Sequence, residues 1–149
     1  MNLLKRYNLI LFIQIAVSLF SCKEDPNPNL TDAQKISKRW GIQSVKINGF
    51  EDPNFSGSDF SITFNSDSEG KASTYSIVQG SVPRPDAPFQ GTDGTWKLTT
   101  TAIVYNETSN EAASNTILEL SENILIISFT VPEELDKTIP TYEYTLSPK

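Results

Sequence analysis

The chain has no histidine in its 149 residues, and only one cysteine and one methionine. Without an imidazole, no His-based triad, Cys–His pair or imidazole metal site can be built. A single cysteine cannot close a disulfide within the chain, so stability must come from a hydrophobic core. Positive charge is also scarce, with 12 Lys and Arg against 18 Asp and Glu, a formal balance of −6. Lys38-Arg39 is the longest basic stretch beyond residue 22, so the electrostatic footprint for nucleic acid is missing. The carboxylates fall mostly in turns or at outward strand positions such as Glu119 and Glu143. No two of them sit in an apolar strand core, where burial would raise a pKa and prepare an acid–base pair. These absences predict a protein that is not an enzyme and uses neither metal nor cofactor. Asn65-x-Asp67-x-Glu69-Gly70 has the letters of half a calcium loop. Its closing acid would fall at Ser76 and its flanks read as strands, so it is expected to be a hairpin turn.

What the chain does have begins near its start. Lys5 and Arg6 precede a mostly apolar run at residues 9–20, followed by Ser21 and the unique Cys22. That run is shorter than the roughly 18 residues a spanning helix needs, and its layout is that of a secretory signal peptide. The junction Leu19-Phe20-Ser21-Cys22 resembles the lipobox of bacterial lipoproteins. The resemblance implies that the Cys22 thiol receives a diacylglycerol, with cleavage just before it and acylation of the new amine. More than one acyl chain gives stable anchoring where a single chain is marginal. Lys23, Glu24 and Asp25 then resemble the export signal of surface-exposed lipoproteins of the Bacteroidota. Pro26 to Asn29 read as a polar, semi-extended spacer. The expected organisation is therefore a signal peptide at 1–21, a lipidated tether at 22–30 and one folded domain at 31–149. The expected location is the outer membrane, lipid-anchored and surface-exposed.

Within the domain, Thr31 or Asp32 can cap one short helix, with Ile36 and Trp40 sharing its buried side. Beyond it the hydrophobic period falls to two. Phe60, Ile62 and Phe64 alternate with Ser61, Thr63 and Asn65. Similar alternation predicts strands at 40–48, 71–79, around Trp96 and Leu98, and at 102–106. Three more follow, at Thr116-Leu118-Leu120, at "ILIISFTV" and at Tyr142-Tyr144-Leu146. Eight strands joined by mostly short polar turns predict an antiparallel up-and-down β-barrel, which leaves no edge open. A β-sandwich is the alternative that turn spacing leaves standing. Two connections are long and proline-rich, at 80–94 (with Phe89) and at 132–140.

"SKRWGIQSVKING", "GTWKLT" and "NTILELSENILIISF" together resemble the lipocalin-like lipoproteins of the Bacteroidota. The resemblance spans most of residues 34–147 and implies an eight-stranded all-β barrel with a helix at one end and a cavity for a small apolar ligand. Lipocalins proper carry Gly-x-Trp on the first strand, whereas position 38 here is lysine. They also stack a basic residue from the last strand on that tryptophan, and residues 142–146 offer none. Trp96, Tyr75, Tyr142 and Tyr144 are the candidate ligand-facing residues, because an inward tyrosine hydroxyl would give the cavity some polar lining. The expected partners are the membrane, through the lipid anchor, and a small apolar or amphipathic ligand. The alternative role is a structural or interaction module that offers its long loops to a protein or glycan partner.

The anchor can be tested directly. Labelled fatty acid should enter the wild-type protein and not Cys22→Ser. Replacing Glu24 and Asp25 by alanine should keep the lipid but protect the protein from protease added to whole cells.

Overall fold

The computed structural model describes residues 30–55, 59–81, 92–108, 112–131 and 139–149. Cys22, Lys23, Glu24 and Asp25 lie outside the described residues, as do Phe89 and most of the two proline-rich connections.

Helix α1 (Asp32–Ile36) starts at Thr31, whose hydroxyl accepts the Gln34 N–H at 3.3 Å. The Gln34 side chain in turn accepts the Thr31 N–H at 2.9 Å. This reciprocal capping box satisfies two donors that a helix start leaves open. Ile36 and Trp40 are both fully buried, and the indole N–H donates to the Ile36 carbonyl at 2.8 Å. The helix is thus clamped to the first strand by a residue four positions on.

The strands are β1 (Arg39–Ile47), β2 (Phe50–Glu51), β3 (Ser61–Ser66), β4 (Ala72–Val78), β5 (Asp93–Leu98), β6 (Ala102–Tyr105), β7 (Ala113–Leu120), β8 (Leu125–Thr130) and β9 (Thr141–Pro148). All pairings are antiparallel, and β1 also pairs with β9 from Trp40↔Pro148 to Ile47↔Tyr142. That contact closes eight strands into a barrel and excludes the sandwich. β2 is a two-residue spur that the sequence reading did not include. It follows the turn Asn48-Gly49, where both residues have positive φ (52° and 85°). Asn-Gly is the pair that a two-residue hairpin with matching twist favours.

Irregularities decide which side chains face inward. β1 shifts register between Ile42 and Ser44, so Trp40 and Ile42 point inward before Gln43, and Val45 and Ile47 after it. β7 does the same between Ile117 and Glu119. Strict alternation had grouped Thr116, Leu118 and Leu120. Instead Asn115 is buried, Ile117 and Leu120 are half-buried against the core, and Leu118 points out, 53% exposed. An extra residue in one strand changes the phase of everything beyond it.

Directly opposed residues share a face, so the register stacks the interior in levels. Ile42, Leu146, Leu125 and Leu120 form the lowest, and Val45, Tyr144, Ile127 and Ile117 the middle. Phe50, Ile47, Tyr142 and Phe129 form the uppermost. The tight turns 67–70, 99–101 and 121–124 lie at the α1 end of the barrel, and the longer connections at the other. The Asn65-to-Gly70 segment is a closed hairpin turn. The Asp67 carboxylate accepts the N–H groups of Glu69 and Lys71, both at 2.9 Å.

The packing predicts unequal costs. Trp96, 3% exposed and edge-on to Phe64 at 5.0 Å, should cost about 3–5 kcal/mol on replacement by alanine. Leu118→Gln should stay within about 0.5 kcal/mol in the same denaturant titration.

Candidate functional site

The two ends of the barrel differ in construction. At the α1 end, the Lys38 ammonium lies 5.4 Å from the centre of the Trp40 ring and donates to the Glu122 carbonyl at 2.8 Å. This is a cation–π contact, strengthened by partial burial. The basic partner that residues 142–146 lack is therefore supplied by the residue standing where a Gly-x-Trp motif would have glycine. The last strand contributes there through Lys149, whose backbone N–H donates to the Arg39 carbonyl at 3.0 Å. Its side chain lies across Gly41, and a Cβ on that glycine would come within 3.0 Å of Lys149 Cδ. This end is sealed.

The opposite end carries a graded row of apolar side chains. Phe50 is 79% exposed, Ile47 and Tyr142 are half-buried, and Phe129 is 5% exposed. The Phe129 and Tyr142 rings stack at 5.3 Å with 12° between their planes, and Phe129 meets Tyr144 edge-on at 5.0 Å. The row therefore leads from solvent to the barrel wall. Beside it, on alternate positions, Lys46 is bonded to Glu143 at 2.7 Å, which holds the ammonium pKa above its ordinary value.

The four sequence candidates fall into two groups. Tyr142 joins Phe129 in the uppermost row, and Tyr144 meets Phe129 edge-on from the middle level. Tyr75 and Trp96 join Phe64 and Tyr105, with Tyr75 edge-on to Tyr105 at 5.2 Å. Tyr75, Tyr144 and Tyr105 are 1%, 0% and 0% exposed, so no water-sized space adjoins the last two. The level below the row is filled.

Several residues of this region escaped the sequence reading. Tyr105 is fully buried, and burial pushes its phenol pKa well above the ordinary value. Asn115 Nδ2 donates to the Tyr105 hydroxyl at 3.0 Å, while Asn115 Oδ1, also buried, has no partner among the described residues. Asn106 Nδ2 donates to the Tyr75 hydroxyl at 3.1 Å, and its Oδ1 accepts the Thr95 N–H at 3.0 Å. The Asn106 amide is thus engaged within the fold. Gly94 belongs to the same knot, since a Cβ there would collide with Asn106 Oδ1 and sit 2.9 Å from the Tyr75 ring. "GTW" at 94–96 is therefore a packing requirement of the mid-chain strand. Asn48-Gly49 was the one legible signal for Phe50.

Outside the barrel, pairing of β4 with β5 stops at Thr74↔Thr95. Two hollows of about 430 and 530 Å³ follow that seam towards α1, sharing Ala72 and Lys97. Lys97 and Glu107, paired at 3.1 Å, both line the first. Among the described residues no group of three metal-ligating side chains occurs, and no helix is long and apolar enough to cross a membrane.

Asp59 ties the start of β3 to the end of β4. Its carboxylate accepts the Ser81 N–H at 2.6 Å, which lowers its pKa below the ordinary 3.8. Gly80 between them has φ of 76°, and a Cβ there would strike that carboxylate. A depressed folded-state pKa contributes stability above the unfolded value, lost as pH falls through the folded one. Wild type should therefore exceed Asp59→Asn in thermal midpoint at pH 6. The difference should shrink towards zero as the pH is taken below 3.8.

Residues 36–127 match the family described as lipocalin-like domain. No curated protein and no solved structure matches the chain.

Proposed function

Because the chain belongs to the lipocalin-like domain family, we propose that it is a non-catalytic binding protein that takes a small apolar or amphipathic ligand at the end of its barrel remote from α1. The fold is of a ligand-binding type and the family is in general one of non-catalytic binders. The observation that carries the reading is the row Phe50–Ile47–Tyr142–Phe129. It places a contiguous apolar strip, graded from 79% to 5% exposure, at the end remote from α1. An exposed aromatic at that position gains by being covered, roughly 25 cal/mol for each Å² of apolar surface removed from water.

The domain acts, in this proposal, on a lipid anchor at Cys22, with Lys23, Glu24 and Asp25 directing it to the surface of an outer membrane of the Bacteroidota type. The Leu19-Phe20-Ser21-Cys22 junction and the acidic residues after it support that part. A second reading, docking of a protein or glycan on the same end, is favoured by Val78 and Ile139. These are 56% and 53% exposed; Val78 ends β4 and Ile139 stands just before β9, both at the end remote from α1.

The test is a titration with straight-chain and ring-shaped apolar compounds, followed by intrinsic fluorescence. At least one compound should bind saturably to wild type. Tyr142→Lys should weaken it by about tenfold or more, measured at a temperature where both proteins remain folded. No saturable binding by either class would overturn the ligand reading in favour of the docking one.

A further inference from the structure

We propose that the slit between β4 and β5 is a second binding site, separate from the end remote from α1, and that it takes a short uncharged peptide segment in extended form, held by β5 through its main chain.

The slit begins with a bulge. Phe64 pairs with Tyr75 and Ser66 with Ala72, so Asn65 alone stands opposite both Ser73 and Thr74. β4 therefore carries one extra residue there. A bulged strand bends and its ladder is locally disrupted, and the pairing of β4 with β5 ends at this point, at Thr74↔Thr95. β5 runs on to Leu98 and stays paired with β6 through Lys97↔Val104 and Leu98↔Ile103. The two strands thus part company towards α1, and the hollows of about 430 and 530 Å³ lie along the divergence.

Main-chain direction decides what the slit can hold. The Thr95 carbonyl accepts the Asn106 N–H at 2.9 Å, and the Thr99 N–H donates to the Ala102 carbonyl at 2.8 Å. Successive residues of a strand turn their main-chain groups to opposite neighbours, so Thr95, Lys97 and Thr99 serve β6. Trp96 and Leu98 turn theirs the other way, towards β4. Past the last pair, β4 offers no ladder partner to the Trp96 carbonyl or to the N–H and carbonyl of Leu98. A strand edge of this kind accepts an added strand, whose own N–H and C=O groups complete the ladder.

The surroundings suit a peptide. Ala33, Ala72 and Leu98 line the second hollow and pack against the core, so its floor is apolar and low. Two of the three are alanines, which leaves room for the side chains of an incoming strand. The charged residues on the walls are already matched, Asp32 with Lys35, Glu69 with Lys71 and Glu107 with Lys97. Among the described lining residues no charge is left over to select an ionic group, and recognition falls to the main chain. From inside, the Trp96 indole closes the slit. It is 3% exposed, and its N–H donates to the Asn65 carbonyl at 2.8 Å. The peptide therefore lies in the wall without entering the barrel.

The experiment follows amide hydrogen exchange in the full chain by NMR. Its probes are a capped pentapeptide of alternating threonine and alanine, and the same peptide methylated at every backbone nitrogen. In the free protein the Leu98 amide should exchange about tenfold faster, or more, than the Lys97 amide that serves β6. The pentapeptide should shift the Leu98 resonance saturably. At about ten times its dissociation constant it should slow the Leu98 exchange about tenfold. The methylated peptide keeps the side chains but has lost the donors, and should do neither. If the Leu98 amide of the free protein is as protected as that of Lys97, the edge is closed and the proposal fails. If both peptides slow the exchange equally, side chains make the contact and the main-chain site is refuted. If neither peptide slows it, the slit is not a peptide site.

Discussion

The pairing of β1 with β9 is the contact on which the rest of the molecule depends. It joins strands from the two ends of the domain in seven residue pairs, from Trp40↔Pro148 to Ile47↔Tyr142. Without it the sheet would have two open edges, and the interior levels that cross from β1 to β9 would each be cut in half. The contact is also among the most demanding to form, because joining distant segments pays loop-closure entropy before any burial is returned. Its irregularity matters as much as its length. The register shift at Gln43 keeps Trp40, Ile42, Val45 and Ile47 all facing the interior along a strand too long for one uninterrupted phase.

Closure alone would leave two similar mouths, and the segments flanking β1 make them different. On one side α1 is held over the barrel by the Trp40 indole, and Lys38 binds the Glu122 carbonyl at the same rim. Lys38 does there what a basic residue from the last strand does in lipocalins proper. The cation and the aromatic ring are thus only two residues apart in the chain, and no long-range pairing is needed to bring them together. On the other side the Asn48-Gly49 turn sends Phe50 back along β1, and it finishes exposed next to half-buried Ile47. An end covered by α1 and an opposite end with an apolar strip give the barrel two unlike ends.

Two polar pairs bond inside the barrel, Asn106 with the Tyr75 hydroxyl and Asn115 with the Tyr105 hydroxyl, and the Tyr75 and Tyr105 rings meet edge-on at 5.2 Å. Buried hydroxyls and amides are costly unless paired, so this knot specifies which strand positions can face each other. Gly94 is required by the same knot, since any side chain there would displace the Tyr75 ring or the Asn106 amide. Such hydrogen-bonded pairs favour one register over its slipped neighbours, where a purely apolar interior would discriminate less.

Much of the fold was legible because it rests on local rules. The Thr31 cap, the period-two runs and the short polar turns are written within a few residues of one another, and each follows from propensity or alternation. Closed β-barrel architecture followed from eight such runs, and burial of Trp96, Tyr75 and Tyr144 from their phase. The signal-like start and Cys22 are likewise features of sequence alone. Tertiary structure decided the rest. The bulges at Gln43 and Leu118 depend on how a strand fits two neighbours at once, so alternation placed Leu118 with residues that face inward. The row Phe50–Ile47–Tyr142–Phe129 draws on four strands, and its members become neighbours only when register and closure are both set. Whether the barrel interior is filled or hollow is likewise a sum of side-chain volumes meeting at its centre, which no local window of the sequence contains.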